Sequence, residues 1–261
     1  MMKIGFIGFG NMAQAMVQGF LEYGKMDKNQ FYACAKNYDK LLGNANKYGI
    51  HACKDSKEVV NHSDIIILAV KPYLIEEVVK PLVEELDHKM VISVAAGFTY
   101  DMYEKILKPT TAHISTIPNT PISVGEGIVV CENKHSLNEE QLNIFMNLFK
   151  NVALVEMVDT HLLSIGGTIG GCTPAYAAMF IEALGDAGVK HGLPRKTAYQ
   201  LAAKMLVGTG KLYLKEQKHP GEMKDAVCSP KGTTIKGVAA LERNGFRNAI
   251  IEAIDAAEGK L

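Results

Sequence analysis

Short apolar runs alternate with amphipathic stretches through the first 159 residues. The runs at 3–7, 30–35, 65–70 and 90–95 are rich in β-branched and aromatic residues, and most lead into a loop of small residues. Runs that are apolar at every position are typical of strands buried on both faces of a parallel sheet. The pattern therefore predicts an α/β domain, a Rossmann-type doubly wound sheet, over residues 1–159.

The remainder of this half predicts the end of the sheet. The stretch 111–131 indicates short edge strands, and the stretch 152–157 indicates a closing strand. Between them, Ser136 followed by Glu139 has the spacing of a capping box that opens an amphipathic helix ending at Phe149.

Beyond residue 160 the apolar spacing becomes helical. Long helices are predicted from Pro174, stopped by Gly192 and restarted at Pro194, and again from Gly245 to the end of the chain. These segments are apolar around much of their circumference, more than a lobe of about 100 residues needs for its own core. An all-α domain that forms a homodimer, residues 160–261, is therefore predicted. The alternative is a helical lobe packed only on its own sheet domain.

Charge and cysteine content narrow the class of protein. The 261 residues carry 28 basic and 28 acidic side chains, so no net field favours nucleic acid or an anionic membrane. The five cysteines form no CxxC pair and no metal-binding spacing, which is typical of free thiols in a reducing compartment. We see no basic-then-apolar leader and no apolar run of about 20 residues. A cytoplasmic protein without a metal site is predicted.

A glycine turn follows the first strand. Gly8, Gly10 and Ala13 have the spacing GxGxxA between a strand and a helix, which is the context of a dinucleotide-binding fingerprint. Such a turn presents helix amides to a pyrophosphate. The alternative is a structural turn that binds nothing.

The second strand bears on the choice of nucleotide. NAD-binding chains usually end this strand with a carboxylate that binds the ribose, whereas this strand ends in Ala35, Lys36 and Asn37. A lysine attracts a 2′-phosphate, so NADPH is predicted, with NADH possible. The alternative is that Lys36 is a solvated loop residue.

The next strand ends point to the same edge of the sheet. Ligands of parallel sheets bind beyond the carboxyl ends of the strands, which places 69–72 and 95–97 beside the cofactor. Lys71 could be catalytic, but a lysine at a strand end is more often a positioning or surface charge.

A second polar turn, Ser229-Pro230-Lys231-Gly232-Thr233-Thr234, opens a helix near the C-terminus. Free amides, hydroxyls and a glycine together form a cradle for a carboxylate or phosphate. An ordinary N-cap by Ser or Thr, with Pro230 forming the turn, explains the pattern equally well.

A family resemblance bears on this choice. The segments GFIGFGNMA, LAVKP, VAAG, PNTP, PAY, GLPR, HPGEMKDAV and CSPKGTTIKGVAALE, in this order, resemble pyrroline-5-carboxylate reductase along essentially the whole chain. The resemblance implies a cytoplasmic NAD(P)H-dependent reductase that makes L-proline from 1-pyrroline-5-carboxylate, a cyclic imino acid. It also implies homodimers through the C-terminal helices, often assembled into decamers, with the substrate at the dimer interface.

The resemblance also implies site residues. Thr234 is our hypothesis for a catalytic hydroxyl that touches the ring nitrogen. The substrate carboxylate would be held by Ser229, Gly232, Thr233 and Thr234. The implied cofactor contacts are Ile7, Gly8, Phe9, Gly10, Asn11, Met12, Ala35, Lys36, Ser56, Ala69, Val70, Lys71, Pro72, Val94, Ala95, Ala96 and Asn119.

Three positions depart from the family pattern. Lys231 replaces a glycine or asparagine, Gly170-Gly171-Cys172-Thr173 replaces a serine–glycine alternation, and Gln217 occupies the place of a glutamate, with Glu216 adjacent. The alternatives to this function are another cyclic imine reductase, a β-hydroxyacid-dehydrogenase-like enzyme and a non-catalytic NADP(H)-sensing module. The dehydrogenase reading requires a lysine on the first interdomain helix, which IGGTIGGCTPAY lacks.

Overall fold

The computed structural model describes residues 2–259 and groups the chain into two compact units, residues 1–171 and 172–261. The strands all lie in the first unit. They are β1 (Ile4–Ile7), β2 (Phe31–Cys34), β3 (His51–Ala52), β4 (Ile65–Leu68), β5 (Met90–Ser93), β6 (Ala112–Pro118), β7 (Gly127–Glu132) and β8 (Ala153–Val158).

Helices pack on both faces of the sheet, and the regular elements in the described part of the second unit are helices. The helices of the first unit are α1 (Asn11–Glu22), α2 (Tyr38–Tyr48), α3 (Ser56–His62), α4 (Ile75–Val79), α5 (Tyr100–Tyr103), α6 (Glu139–Phe149) and α7 (Leu163–Gly171). Those of the second unit are α8 (Thr173–Lys190), α9 (Arg195–Glu216), α10 (Pro220–Asp225), α11 (Thr233–Arg243) and α12 (Phe246–Ala257). Within residues 2–259, every helix is too short or too polar to cross a bilayer.

The sheet has the strand order β3-β2-β1-β4-β5-β6-β7-β8. All neighbouring pairs are parallel except β6 with β7, which is antiparallel. The order reverses direction between β1 and β4, and this switch point is where doubly wound sheets bind dinucleotides. The predicted fold class, a Rossmann-type sheet followed by helices, is confirmed.

The apolar strands separate two buried layers. Along β4, Ile65 and Ile67 join the cluster on one face, and Ile66 and Leu68 join the cluster on the other. Because side chains alternate along a strand, a run that is apolar throughout serves both layers. The first layer is completed by α1 and α6, and the second by α3 and α4.

Three local predictions were wrong. The stretch 111–131 does not end the sheet, because β6 and β7 are interior strands and β8 is the edge strand on this side of the sheet. The capping residue of α6 is Asn138, whose side chain accepts from the Gln141 amide while the Gln141 side chain accepts from the Asn138 amide. Ser136 instead accepts a hydrogen bond from the His113 amide. Pro194 lies one residue before α9, at its N-cap.

The bounds of helix α7 were not predicted, and this helix bears on the domain boundary. Its glycines lie against strand side chains: a Cβ on Gly166 would lie 2.8 Å from Val130 Cγ1, and one on Gly167 2.6 Å from Ile117 Cδ1. This packing on β6 and β7 places α7 in the compact unit of the sheet. The boundary between residues 159 and 160 stays a prediction.

The second unit has little core of its own. Helices α8 and α9 pack closely where Gly185 faces the Tyr199 ring and Gly188 faces Ala198. The Tyr176 hydroxyl donates to the Ala253 carbonyl at 3.3 Å, which joins α8 to α12. Most other apolar side chains of these helices remain exposed.

Candidate active site

The turn after β1 is shaped by two glycines. Gly8 has a φ of +93°, and a Cβ there would lie 2.6 Å from the Ala69 carbonyl oxygen, so the loops after β1 and β4 approach as closely as backbone allows. Gly10 is the N-cap of α1, and a Cβ on it would meet no atom within 4 Å. No side chain caps α1. The turn therefore offers free helix amides next to open space, which suits a pyrophosphate.

The ends of four strands lie side by side here. Cys34, Ile7, Leu68 and Ser93 are successive neighbours across β2, β1, β4 and β5. The residues that follow these strands form one row at the carboxyl edge of the sheet. This row contains most of the predicted cofactor contacts, which are Gly8 to Met12, Ala35, Lys36, Ala69 to Pro72 and Val94 to Ala96. Ser56, at the start of α3, lies next to the row through its contact with Cys34.

The predicted cofactor contacts differ in how accessible their side chains are to a ligand. Asn11, Lys36, Lys71, Pro72 and Ala96 are exposed. The half-buried ones are Met12, Ala35, Ser56, Ala69, Val70 and Val94. The side chains of Ile7, Phe9 and Ala95 are buried, and the Phe9 ring packs against Phe6 and Tyr48, so these residues offer a ligand their backbone only.

Asn119 is engaged with the protein itself. Its Nδ2 donates to the Gly170 carbonyl at 2.8 Å, and its Oδ1 accepts from the Ile128 amide at 2.8 Å. The side chain is 5% exposed. The carboxamide thereby joins the end of β6 to β7 and to the end of α7, and a role in cofactor binding stays a prediction.

The surroundings of β2 suit a phosphorylated ribose. Lys36 is exposed beyond the strand, and Asn37 caps α2 by accepting from the Lys40 amide at 2.9 Å. Ser56, the first residue of α3, has its hydroxyl 3.5 Å from the Cys34 sulfur. Burial raises the pKa of the Cys34 thiol, so it stays neutral there. Sequence reasoning missed Cys34, because nothing along the chain places it next to Ser56.

The second predicted site precedes α11. The Gly232 amide donates to the Ser229 carbonyl at 3.0 Å, and Lys231 between them has a φ of +63°. Proline at the second position and a positive φ at the third are the pattern of a type II turn. Pro230 therefore forms a turn as predicted.

The start of α11 decides between a cap and a cradle. The N-cap is Gly232, no side chain caps the helix, and its first turn contains no acidic residue. Of the two alternatives that the sequence left open, the ordinary N-cap by a Ser or Thr side chain is therefore excluded. Thr233 and Thr234 are the first two helical residues and are exposed, so their amides and hydroxyls are accessible at the same helix end.

Three histidines of the C-terminal half are surface or capping groups. His161 and His191 are exposed, and His219 caps α10 by accepting from the Gly221 amide at 3.1 Å. In residues 2–259, no three His, Cys, Asp or Glu side chains cluster in a way that could hold a metal ion.

Comparison with known proteins decides the family. The chain is 43% identical over 260 residues to the pyrroline-5-carboxylate reductase of Treponema pallidum, covering 98% of each chain. It is 37% identical to the pyrroline-5-carboxylate reductase of Escherichia coli, over 97% of this chain and 94% of that one. The chain belongs to the pyrroline-5-carboxylate reductase family. The family predicted from the sequence is confirmed, and with it the class of enzyme, an oxidoreductase.

Two family models and a solved structure agree. A model described as pyrroline-5-carboxylate reductase dimerisation matches residues 160–261, and one described as NADP oxidoreductase coenzyme F420-dependent matches residues 3–97. A crystal structure of Plasmodium falciparum pyrroline carboxylate reductase with NADP bound superimposes with a TM-score of 0.87 at 28% identity, covering 99% of this chain and 97% of that one. Neither the dehydrogenase-like nor the non-catalytic alternative is favoured by these relatives.

Proposed function

We propose that the chain reduces 1-pyrroline-5-carboxylate to L-proline with NADPH. The observation that carries the proposal is the uncapped first turn of α11, where amides and threonine hydroxyls stand together without a protein partner for the helix end. A substrate carboxylate supplies the missing acceptor, because helix N-termini stabilise anions. The relatives named pyrroline-5-carboxylate reductase support the same substrate.

The first unit contains groups that suit two parts of NADPH, the pyrophosphate and the 2′-phosphate. The turn at Gly8 and Gly10 leaves open space beside the free amides of α1, which suits the pyrophosphate. Lys36 provides the charge that favours a 2′-phosphate, and the NADP-bound Plasmodium structure supports this choice. NADPH, when bound, supplies a hydride for the imine carbon of the ring, which lies on the other side of the nitrogen from the carbon that bears the carboxylate.

The second unit binds and orients the substrate. In the proposal, Ser229, Gly232 and Thr233 hold the carboxylate, and the Thr234 hydroxyl contacts the ring nitrogen. A protonated cyclic imine is already electrophilic, so the residues need only position it and exclude water. A dedicated general acid is not required for the hydride step.

The proposal includes a homodimer, with dimers assembled into a decamer. The exposed apolar side chains of α8, α9 and α12 would be covered by a second copy, and the dimerisation model on residues 160–261 supports this. The proposal also includes a cytoplasmic location, which the five free thiols support.

The test is substrate-dependent oxidation of NADPH, with Thr234 as the probe. We expect Thr234→Ala to lower kcat/KM for pyrroline-5-carboxylate about 10- to 100-fold, the loss expected for one hydrogen bond to a charged group. Thr234→Ser keeps the hydroxyl and serves as the matched control, within about threefold of wild type.

Two outcomes count against different parts of the proposal. Unchanged kcat/KM in folded Thr234→Ala removes Thr234 from the site. Wild-type protein that oxidises NADPH no faster with pyrroline-5-carboxylate than without it overturns the reductase function.

A further inference from the structure

The loop after β5 ends in a tight turn. The Phe98 amide donates to the Ala95 carbonyl at 3.3 Å, and Gly97, the third residue of the turn, has a φ of +83°. Ala96 and Gly97 are exposed at the tip, whereas Ala95 and Phe98 are buried at its base. The turn therefore projects two small residues from the carboxyl edge of the sheet, in the row of predicted cofactor contacts.

Buried hydroxyl groups hold the start of this turn. Ser93 Oγ accepts from the Ala95 amide at 3.2 Å and from the Tyr103 hydroxyl at 2.7 Å. The Ser93 carbonyl accepts from the Thr116 hydroxyl at 2.7 Å. All three hydroxyls lie in side chains that are at most 1% exposed, where hydrogen bonds are poorly replaced by water.

The other end of the turn is held in the same way. The Ser115 hydroxyl donates to the Phe98 carbonyl at 2.9 Å. The Phe98 ring packs against the Tyr103 ring with centroids 4.5 Å apart. Tyr103 therefore supports both ends of the turn, one through its ring and the other through its hydroxyl and Ser93.

The hydroxyl of Tyr103 is unusual for its position. The other aromatic side chains that are buried as completely are phenylalanines: Phe6, Phe20, Phe31, Phe145 and Phe149. A phenylalanine at 103 would keep the ring packing and would avoid burying a polar group. The hydroxyl is therefore not needed to fill the core, and its one structural effect is to direct Ser93 toward the turn.

We infer that Tyr103 is a positioning residue for the nucleotide: acting through Ser93, it fixes the Ala95–Phe98 turn in the place where Ala96 and its neighbours contact NADPH. A binding site is only as well ordered as the residues that support it. The inference rests on the proposed function, because it requires NADPH to bind at this edge. It adds a buried residue that touches neither substrate nor cofactor.

The test is the dissociation constant of NADPH, measured by fluorescence titration of the purified protein. Tyr103→Phe removes only the hydroxyl, and we expect it to raise this constant and the KM for NADPH about 3- to 10-fold, as for one lost hydrogen bond. We expect kcat and the KM for pyrroline-5-carboxylate to change less than about twofold, because the substrate contacts are on other residues.

Thr111→Val is the matched control. The Thr111 hydroxyl is equally buried and donates to the Leu86 carbonyl at 3.2 Å, before the start of β6 and away from the carboxyl edge. We expect it to leave NADPH binding unchanged, whatever the two substitutions do to the melting temperature. If both variants weaken NADPH binding equally, the effect is general destabilisation and the inference is wrong.

The pair Ser93→Ala and Tyr103→Phe sharpens the result. Because both act through one oxygen, the double variant should bind NADPH no more weakly than Ser93→Ala alone. Independent, additive losses would contradict a role through Ser93. Unchanged NADPH binding in Tyr103→Phe overturns this inference but does not contradict the proposed function. A wild-type protein that binds no NADPH overturns the proposed function.

Discussion

The two units of this chain treat their apolar side chains in opposite ways. In the sheet unit, Phe6, Phe20 and Val91 are completely buried. In the helical unit, Met179, Val227 and Ile251 are 68%, 65% and 60% exposed. Both units are strongly apolar in sequence, so the difference lies in what is available to cover them.

The contrast shows that the helical unit exposes apolar side chains that its own helices do not cover. Burying a large aliphatic side chain contributes about 1.5–3 kcal/mol, and this unit leaves many such side chains in water. A model described as pyrroline-5-carboxylate reductase dimerisation matches residues 160–261, which supports our proposal that a second copy covers this surface. The apolar excess of the helices was visible in the sequence, but their pattern alone could not distinguish a partner chain from the chain's own sheet.

The largest effect is expected from a substitution that disrupts the proposed dimer interface of the helical unit. Ile251→Glu places a charge on the exposed apolar face of α12, and we expect loss of the dimer, with at least about 100-fold lower activity, because a buried unpaired charge costs several kcal/mol. Light scattering reports the mass. Leu154→Glu is the matched control, because Leu154 is also exposed, at 49%, but lies on β8 of the sheet unit. A dimeric Ile251→Glu protein would show that α12 lies outside the interface.

The next effect concerns the packing of the sheet unit. Gly8→Ala places a Cβ 2.6 Å from the Ala69 carbonyl at a φ of +93°, so we expect stability to fall by about 2–4 kcal/mol and NADPH binding to be lost. Gly43→Ala is the control, because it adds a methyl in open space inside α2 and should raise stability by about 0.5–1 kcal/mol. Urea unfolding measures both. Equal stability of the two variants would refute the tight approach of the two loops.

Gly10→Ala separates binding from folding within the same turn. A Cβ there meets nothing within 4 Å and the φ of −81° is ordinary, so we expect an unchanged melting temperature. The methyl would occupy the space proposed for the pyrophosphate, and we expect the dissociation constant of NADPH to rise at least about 10-fold. Unchanged NADPH binding in this variant would place the pyrophosphate elsewhere.

The sequence predicted most strands of the sheet unit correctly, but it did not predict helix α7 in detail and it misplaced the cap of α6. The continuous runs of β1, β4 and β5 indicated buried parallel strands, because they are short and rich in β-branched or aromatic residues, and they lead into loops of small residues. The bounds and packing of helix α7 could not be predicted, because LSIGGTIGG is poor in helix-forming residues and its glycines fit against Val130, Ile117 and Ile128. The cap of α6 was misplaced because Ser136 and Asn138 are both good capping residues.

In the candidate site, the local motifs were predictable from the sequence and the contacts between separate elements were not. Local motifs located Gly8, Gly10 and the turn before Thr233, since each depends on neighbours in the chain. The support of Ser93 by Tyr103 and the pairing of Cys34 with Ser56 depend on contacts between separate elements. The capping of α11 was undecidable from sequence, because Ser229, Thr233 and Thr234 could each have served as the cap, and the structure uses Gly232.

The smallest expected effect concerns the turn before α11, in the helical unit. Lys231 has a φ of +63°, a conformation that costs a side-chain residue about 1–2 kcal/mol and glycine almost nothing. Part of this gain is offset by the greater freedom of glycine in the unfolded chain. We therefore expect Lys231→Gly to raise the free energy of unfolding by about 0.5–1 kcal/mol.

Lys236→Gly is the matched control for Lys231→Gly, since it removes the same charge from the interior of α11 and should destabilise by about 1 kcal/mol. Urea unfolding at one protein concentration gives both values. Because the two variants lose the same charge, opposite signs assign the effect to the backbone. Equal losses in both variants would mean that the Lys231 side chain contributes more through its contacts than its backbone conformation costs.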